Sequence, residues 1–285
     1  MAAILIDGAA IARQLYADFK QRVKALGSRG VRPGLAAILI GDNPASEVYV
    51  RTKTRACAEV GVHSVQHRFG VDCPEREVVE LINCLNADPA IHGILVQLPL
   101  PPRLNAERIL QSIAADKDVD GFNWTNLGAI VAGHTLLAPC TPLGIMTMLD
   151  REGIALEGRH AVVIGRSVIV GKPLALMLIA RGATVTVCNS KTRNLRQFTS
   201  LADILIVAVG KPGVVDGSML KPGAVVIDVG INRLPDGKLT GDVDFASASL
   251  VASRITPVPG GVGRMTVAML IANTVTAAER SIGAG

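Results

Sequence analysis

Aromatic residues are scarce in this chain: five Phe, two Tyr and one Trp make up 3% of 285 positions. So few rings cannot build the stacking platforms on which single-stranded bases are held. Charge supplies no nucleic-acid footprint either. The excess of 29 basic over 24 acidic residues, +5 net, is small for this length and forms no basic arm. No C-x-x-C occurs, and Cys57, Cys73, Cys84, Cys140 and Cys188 show neither metal-ligand spacing nor a pairing pattern. Unpatterned thiols in odd number suit a reduced compartment, so a cytoplasmic protein is expected. The five histidines make no HExxH or similar pair, and no metal is expected. A long apolar run is missing too: the uncharged stretch 130–149 is broken by Gly133, Pro139, Pro142 and Gly144, which excludes a membrane helix. The opening MAAILIDGAAIARQL has no basic head and meets Asp7 early, so it does not read as a secretory signal.

What is present is a globular composition, 49% apolar and 19% charged, long enough for one large or two ordinary domains. Short apolar runs alternate with helical patterns. GLAAILIG (34–41), SVQHRFG (64–70) and GILVQLPL (93–100) read as strands, with a helix after the first and another over 75–87. The pattern restarts with HAVVIG (160–165), ATVTVC (183–188), ADILIVAVG (202–210) and GAVVIDVG (223–230). Wholly apolar strands separated by amphipathic helices predict βαβ units and parallel sheets buried on both faces. The glycine- and proline-rich stretch around 119–142 reads as the crossing between two α/β domains. The final run, VGRMTVAMLIANTVTAAER, is a helix too apolar on one side to stand free, and the first domain is its expected seat.

Residues 161–178, AVVIGRSVIVGKPLALML, run from a strand through a glycine turn into a helix. Only Gly165 and Gly171 stand where a dinucleotide fingerprint places three glycines, so the turn by itself reads equally as plain strand-to-helix packing. Pro173 suits the first helical position, and free N–H groups there favour an anion. Arg166 and Ser167 can add a forked cation and a hydroxyl. The loop after the second strand, NSKTRN, offers Ser190, Lys191, Thr192 and Arg193 but no carboxylate to take a ribose hydroxyl. If a dinucleotide binds, NADP is therefore expected rather than NAD.

Three polar oddities lie in the first domain. In GDNPASEVYVRTKTRACAEVG, Asn43 caps, Pro44 takes the first position and Gly61 ends the helix, so Tyr49 and Lys53 share a face. A lysine there is ordinarily solvated; held beside a ring over a substrate, its buried amine could move protons. Gln97 interrupts an apolar strand near its carboxyl end, and a buried amide needs partners. Asp118 and Asp120 alternate in KDVDGF. Each has a bland reading as a satisfied polar residue or a turn; together they point to an oxidoreductase with a substrate site in the first domain.

The segments NPASEVYVRTK, HGILVQLPLP, KDVDGF, PCTPLGIM, VVIGRSVIVGKPLALML, GKPG, GAVVIDVGIN, GDVDF and ITPVPGGVG together resemble the bifunctional methylenetetrahydrofolate dehydrogenase/cyclohydrolases, almost end to end and in order. The resemblance implies two α/β domains around a cleft, the second Rossmann-like, with the C-terminal helix returning to the first. The implied limits are 1–120 with 264–285 for the folate domain, 140–263 for the NADP domain and 121–139 for the crossing, in a cytoplasmic homodimer. It also implies NADP-dependent oxidation of 5,10-methylenetetrahydrofolate and hydrolysis of the methenyl product to 10-formyltetrahydrofolate, which feeds purine biosynthesis. By the same resemblance Tyr49 stacks on the aminobenzoate ring, Lys53 is the acid/base of hydrolysis, Gln97 bonds to it, and Asp120 holds the pterin's amino-pyrimidine edge. Val96 and Leu98 flank Gln97 in the folate site, and the loop with Pro257, Pro259, Gly260 and Gly261 closes on the folate. Gly165, Arg166, Ser167, Gly171, Ser190 and Ile231 bind NADP.

Four positions depart from the family pattern. Asn123-Trp124 follow KDVDGF in place of His-Pro, Asn189 replaces a histidine before Ser190, Arg264 replaces a proline after GGVG, and Asp116 stands where a proline often precedes KDVDG. Arg264 is expected to point to solvent. None of the four touches Lys53, Gln97 or Asp120, so both activities are expected. The alternatives are a monofunctional dehydrogenase, or a non-catalytic dinucleotide-binding protein on the same fold.

Overall fold

In the computed structural model, which describes residues 2–283, glycine-flanked apolar runs form strands and the 3.6-residue patterns between them form helices. The chain begins with β1 (Ile4–Leu5), α1 (Gly8–Ser28), β2 (Gly34–Ile40), α2 (Pro44–Val60), β3 (His63–Phe69), α3 (Glu75–Ala87) and β4 (Gly93–Val96). It continues through α4 (Ala106–Gln111), α5 (Trp124–Val131), α6 (Cys140–Arg151), β5 (His160–Ile164), α7 (Gly171–Ala180) and β6 (Thr184–Cys188). The remainder is α8 (Leu195–Thr199), β7 (Ile204–Val207), β8 (Val225–Asp228), β9 (Asn232–Arg233), β10 (Leu239–Thr240), α9 (Phe245–Ala248), β11 (Arg254–Ile255) and α10 (Val262–Ser281).

Two compact units result. One comprises Gln14–Cys140 with Val267–Gly285, the other Met1–Arg13 with Thr141–Thr266. Positions 1, 284 and 285 of the expected domain limits lie outside the described residues.

The first unit is built on a parallel sheet of order β3-β2-β4. Its central strand, GLAAILI, is buried at every position, as a parallel strand covered on both faces must be. Ile38, Ile82, Ile94 and Ile109 are fully buried in one cluster, each contributing about 1.5–3 kcal/mol by removal from water. The expected strand 93–100 stops at Val96. Gln97 N–H still donates to Ile38 O at 2.9 Å, and the chain then turns through a cis Leu98–Pro99 bond, because proline has no N–H to extend the ladder. Beyond β4, Ile94 N–H donates to Lys117 O at 2.8 Å, so residues 117–119 run beside it. The later part of α10 docks here: Asn273, buried, donates to Val119 O at 2.8 Å and Ala138 O at 2.9 Å. Arg22 on α1 grips Glu279 with two hydrogen bonds, of 2.8 and 2.6 Å.

Residues 121–139, expected as a crossing, lie within this unit and include α5. Asn123 makes the difference: its Oδ1 caps the helix by accepting from Thr125 N at 2.9 Å, and its Nδ2 donates to Ile113 O at 2.9 Å.

The second unit carries an all-parallel sheet of order β1-β11-β8-β7-β5-β6. β5 has β6 on one side and β7 on the other, so its carboxyl end is a topological switch point, where ligands bind in such sheets. Residues 1–13 were expected in the first domain; Ile4 pairs with Arg254 and Leu5 with Ile255, which draws them to this sheet's edge. Two-residue strands carry no readable periodicity.

Candidate functional site

In the first unit, α2 opens as its sequence dictates. Asn43 Oδ1 accepts from Ser46 N at 3.3 Å, Pro44 is the first helical residue, and Gly61 follows the last with φ +88°. Tyr49 and Lys53 fall one turn apart; Tyr49 is 39% exposed and Lys53 only 7%. A buried amine needs a partner. Lys53 Nζ donates to Gln97 Oε1 at 3.1 Å, and Gln97 Nε2 donates in turn to Leu98 O at 2.7 Å, which holds the amide oxygen toward the lysine. Val96, buried, ends the strand that delivers Gln97.

Asp120 joins the same group. Burial raises its pKa, while the charge of Lys53 and a hydrogen bond with the Cys140 thiol act against the rise. Cys140 is fully covered, its Sγ–H directed at Val119 O at 3.2 Å, and burial and then Asp120's charge push its thiol well above the ordinary range. Cys57, one turn after Lys53, is pushed up to about 12 by burial against the opposing lysine charge. The first unit therefore gathers Lys53, Gln97, Asp120 and Cys140, with Tyr49 on the same helix face. Cys140 escaped sequence reasoning, since a lone cysteine carries no spacing signal. Asp118 is set apart from the lysine: it accepts from Gly121 N at 3.1 Å, Asn123 N at 2.6 Å and Asn126 Nδ2 at 3.0 Å, and burial raises its pKa to about 6.

In the second unit, Gly165 follows β5 with φ +129°, and a Cβ there would run into the carbonyl of Ala208, just past the neighbouring β7. A Cβ on Gly171 would collide with the carbonyl of Gly165. The two glycines interlock strand and helix at the switch point, which explains a fingerprint with two glycines instead of three. α7 starts at Gly171, so Pro173 is its third residue, not its first as expected. Ser167 Oγ accepts from Val170 N at 3.2 Å and Gly171 N at 3.4 Å, closing the turn. Arg166 and Ser167 are exposed, and Gly165 N–H bonds Cys188 O at 2.9 Å, which lays the loop of Ser190 alongside. Arg166, Lys191 and Arg193 pair with no carboxylate among the described residues.

Ile231 is 45% exposed and rooted between two acid anchors. Buried Asp228 accepts from Gly230 N at 2.9 Å, Asp242 N at 2.9 Å and Val243 N at 3.0 Å. Asp242 accepts from Val209 N at 2.7 Å, Gly210 N at 2.9 Å and Asn232 Nδ2 at 2.9 Å. The loop of Pro257, Pro259, Gly260 and Gly261 follows β11 through a cis Val258–Pro259 bond, and Gly260 O accepts from Ala9 N at 3.0 Å. Pro257 and Gly260 are half-buried, Pro259 is exposed and Gly261 is buried.

Comparison with known proteins now adds to the geometry. The catalytic domain of tetrahydrofolate dehydrogenase/cyclohydrolase matches residues 6–120, and the NAD(P)-binding domain of the same enzymes matches residues 139–282. The chain belongs to the tetrahydrofolate dehydrogenase/cyclohydrolase family. Among its relatives, Bifunctional protein FolD of Bordetella petrii is 59% identical over 98% of this chain and 95% of its own. The crystal structure of the bifunctional enzyme FolD from Campylobacter jejuni superposes with a TM-score of 0.97 at 48% identity, covering 98% of this chain and 100% of that one. The FolD structure from Trypanosoma brucei, complexed with NADP cofactor and inhibitor, gives 0.95 at 37% identity, with 99% of each chain covered.

Within the family, the four departures have local explanations. Asn123 caps α5, as described, and Trp124 is 63% exposed. Asn189 folds its loop into a turn, its Oδ1 accepting from Lys191 N at 2.9 Å and its own N–H reaching Thr192 Oγ1 at 2.9 Å. Arg264 and Asp116 are exposed.

Proposed function

We propose that this chain oxidises 5,10-methylenetetrahydrofolate with NADP and hydrolyses the methenyl product to 10-formyltetrahydrofolate. The observation that carries the reading is the buried Lys53 amine bonded to Gln97 with Asp120 close by, in a chain of this family. NADP fits the second unit's residues: the interlocked Gly165 and Gly171 let backbone come close at the switch point, exposed Arg166 and Ser167 can take a phosphate, and the Ser190 loop offers hydroxyls and cations for a ribose phosphate. When bound, NADP accepts the hydride. The protein's part in that step is placement, since the substrate's own nitrogen drives hydride out. Tyr49 offers a ring face for the aminobenzoate, and Asp120 can accept two parallel N–H bonds from an amino-pyrimidine edge.

Hydrolysis needs proton management. Water adds to the cationic methenyl carbon, and Lys53 Nζ takes a proton from it. As the bond from carbon to the departing nitrogen breaks, Lys53 returns a proton to that nitrogen, and the hydroxyl's remaining proton leaves to solvent. Gln97 fixes the amine's position through its oriented amide. A cytoplasmic homodimer supplying purine synthesis accompanies this reading; no described helix is long and apolar enough to cross a membrane.

The test is a spectrophotometric assay of purified protein with methylenetetrahydrofolate, NADP and NAD in parallel, beside separate hydrolysis of the methenyl compound. NADP reduction together with hydrolysis supports the proposal. Oxidation without hydrolysis would leave a monofunctional dehydrogenase, and a folded, NADP-binding protein that consumes neither folate would overturn the enzymatic reading.

A further inference from the structure

The first unit holds a cavity of about 870 Å³ at the amino ends of β2 and β4. Lys53 and Gln97 lie at the other end of this sheet: His92 borders the cavity, and five residues of extended chain, roughly 16 Å, separate it from Gln97. Three cations line the cavity, Arg32, Lys117 and Arg280, and none is ion-paired with a carboxylate among the described residues. Among the described residues Arg280 reaches a backbone oxygen, Leu136 O at 2.8 Å. Lys117 gives two N–H bonds to Leu85 O at 3.1 Å and Asp88 O at 2.7 Å, which leaves its third.

Three cations line the cavity against one carboxylate, Asp116, and the charges of Asp116 and Asp88 both act on Lys117. Burial and then the Lys117 charge lower the pKa of His92, whose Nδ1 accepts from Gly34 N at 3.1 Å and so sits as a neutral ring. The one carboxylate in the lining, Asp116, is exposed, and that of Asp88 is occupied by Ala90 N at 2.8 Å. Most of the remaining wall is hydrocarbon, from side chains such as Ile91, Leu136 and Ala277. Two guanidinium forks match a carboxylate's two oxygens, and the largely apolar wall suits a hydrocarbon body.

We propose that this cavity is a binding site for a small carboxylate with an aromatic or branched apolar body, separate from the folate and NADP residues. Its test is calorimetric titration of the full chain, saturated with NADP, with 2-naphthoate and with uncharged 2-naphthamide. Naphthoate should bind with a Kd of about 1 mM or tighter, as its size allows, and the amide about tenfold or more weaker, for want of the charge-assisted bonds. Arg280→Ala removes a fork and Ala90→Trp, at an exposed lining position, fills the space; each should weaken naphthoate about tenfold while both folate activities persist. Equal binding of the two probes, unchanged binding in both variants, or displacement of naphthoate by tetrahydrofolate would each overturn the proposal.

Discussion

Gly171→Ala separates the cofactor turn from the hydrolytic residues. The added Cβ would collide with the carbonyl oxygen of Gly165 and stand 2.6 Å from its carbon and 3.0 Å from Arg166 N. Carbon atoms rest about 3.5 Å apart, so the Gly165–Arg166 peptide must retreat by about 0.9 Å. It has little room, because Gly165 already packs against Ala208 O. Overpacking of this kind costs about 1–3 kcal/mol, and at about 2–4 °C per kcal/mol the variant should melt several degrees lower. The larger effect falls on the cofactor. Misplacing a positioning group by about 1 Å costs on the order of 100-fold, so NADP affinity should drop by roughly that factor. Hydrolysis of the methenyl compound should be kept, because Lys53, Gln97 and Asp120 belong to the other unit. Paired measurements of NADP Kd, dehydrogenase KM and cyclohydrolase kcat decide it. Unchanged NADP affinity, or hydrolysis falling in step with it, would refute the steric reasoning.

Four further outcomes are expected. Lys53→Met should lower hydrolysis by about 100-fold or more while slowing NADP reduction much less; equal losses in the two assays would speak against the acid/base role. Asn273→Leu strands the Val119 and Ala138 carbonyls, and urea unfolding should show a loss of about 2–4 kcal/mol. The folded form holds the Asp118 proton more tightly than the usual carboxyl does, with a pKa of about 6. Its stabilising contribution is therefore complete below about pH 4 and lost as pH climbs through about 6, on the order of 3 kcal/mol. Urea midpoints across that window should depend less on pH in Asp118→Asn, and identical profiles would exclude this account. Finally, Cys84 is exposed while the other four cysteines are buried, so maleimide at neutral pH should label one thiol quickly by mass spectrometry and the rest only on unfolding.

The sequence disclosed most of the scaffold because β2, β5, β7 and β8 are short, largely apolar runs with glycine at or near an end, a pattern with few other outcomes. Helix α2 was legible down to its cap, since Asn43, Pro44 and Gly61 each have one local job. Gln97 was conspicuous as an amide in an apolar strand, and the structure gives it Lys53 as partner across 44 positions. Long-range pairings without a local pattern stayed hidden. β1 and β11 are two residues each, recognisable only from their pairing partners, and residues 121–139 looked like a linker because Asn123's second bond reaches back to Ile113 O. Cys140 was invisible for the same reason: its significance lies in Asp120 and Lys53, which the chain brings to it from far away. Of Asp118 and Asp120, alternation in KDVDGF could not say which faces the lysine; only the network of N–H groups around Asp118 does.

The acid anchors Asp228 and Asp242 bear on how this protein can drift and be re-engineered. Between them the chain runs out through β9 and back through β10, a small antiparallel ribbon with an exposed tip at residues 235–238. Both roots of the ribbon are fastened by carboxylates to backbone N–H groups, and a side chain at 230 or 241 would land on those carboxylates. The ribbon is thus a detachable tab with fixed stitching. Insertions and deletions should accumulate freely at its tip and stop abruptly at the two glycines, so a reporter peptide or affinity handle grafted at Asp236 would leave the sheet beneath undisturbed.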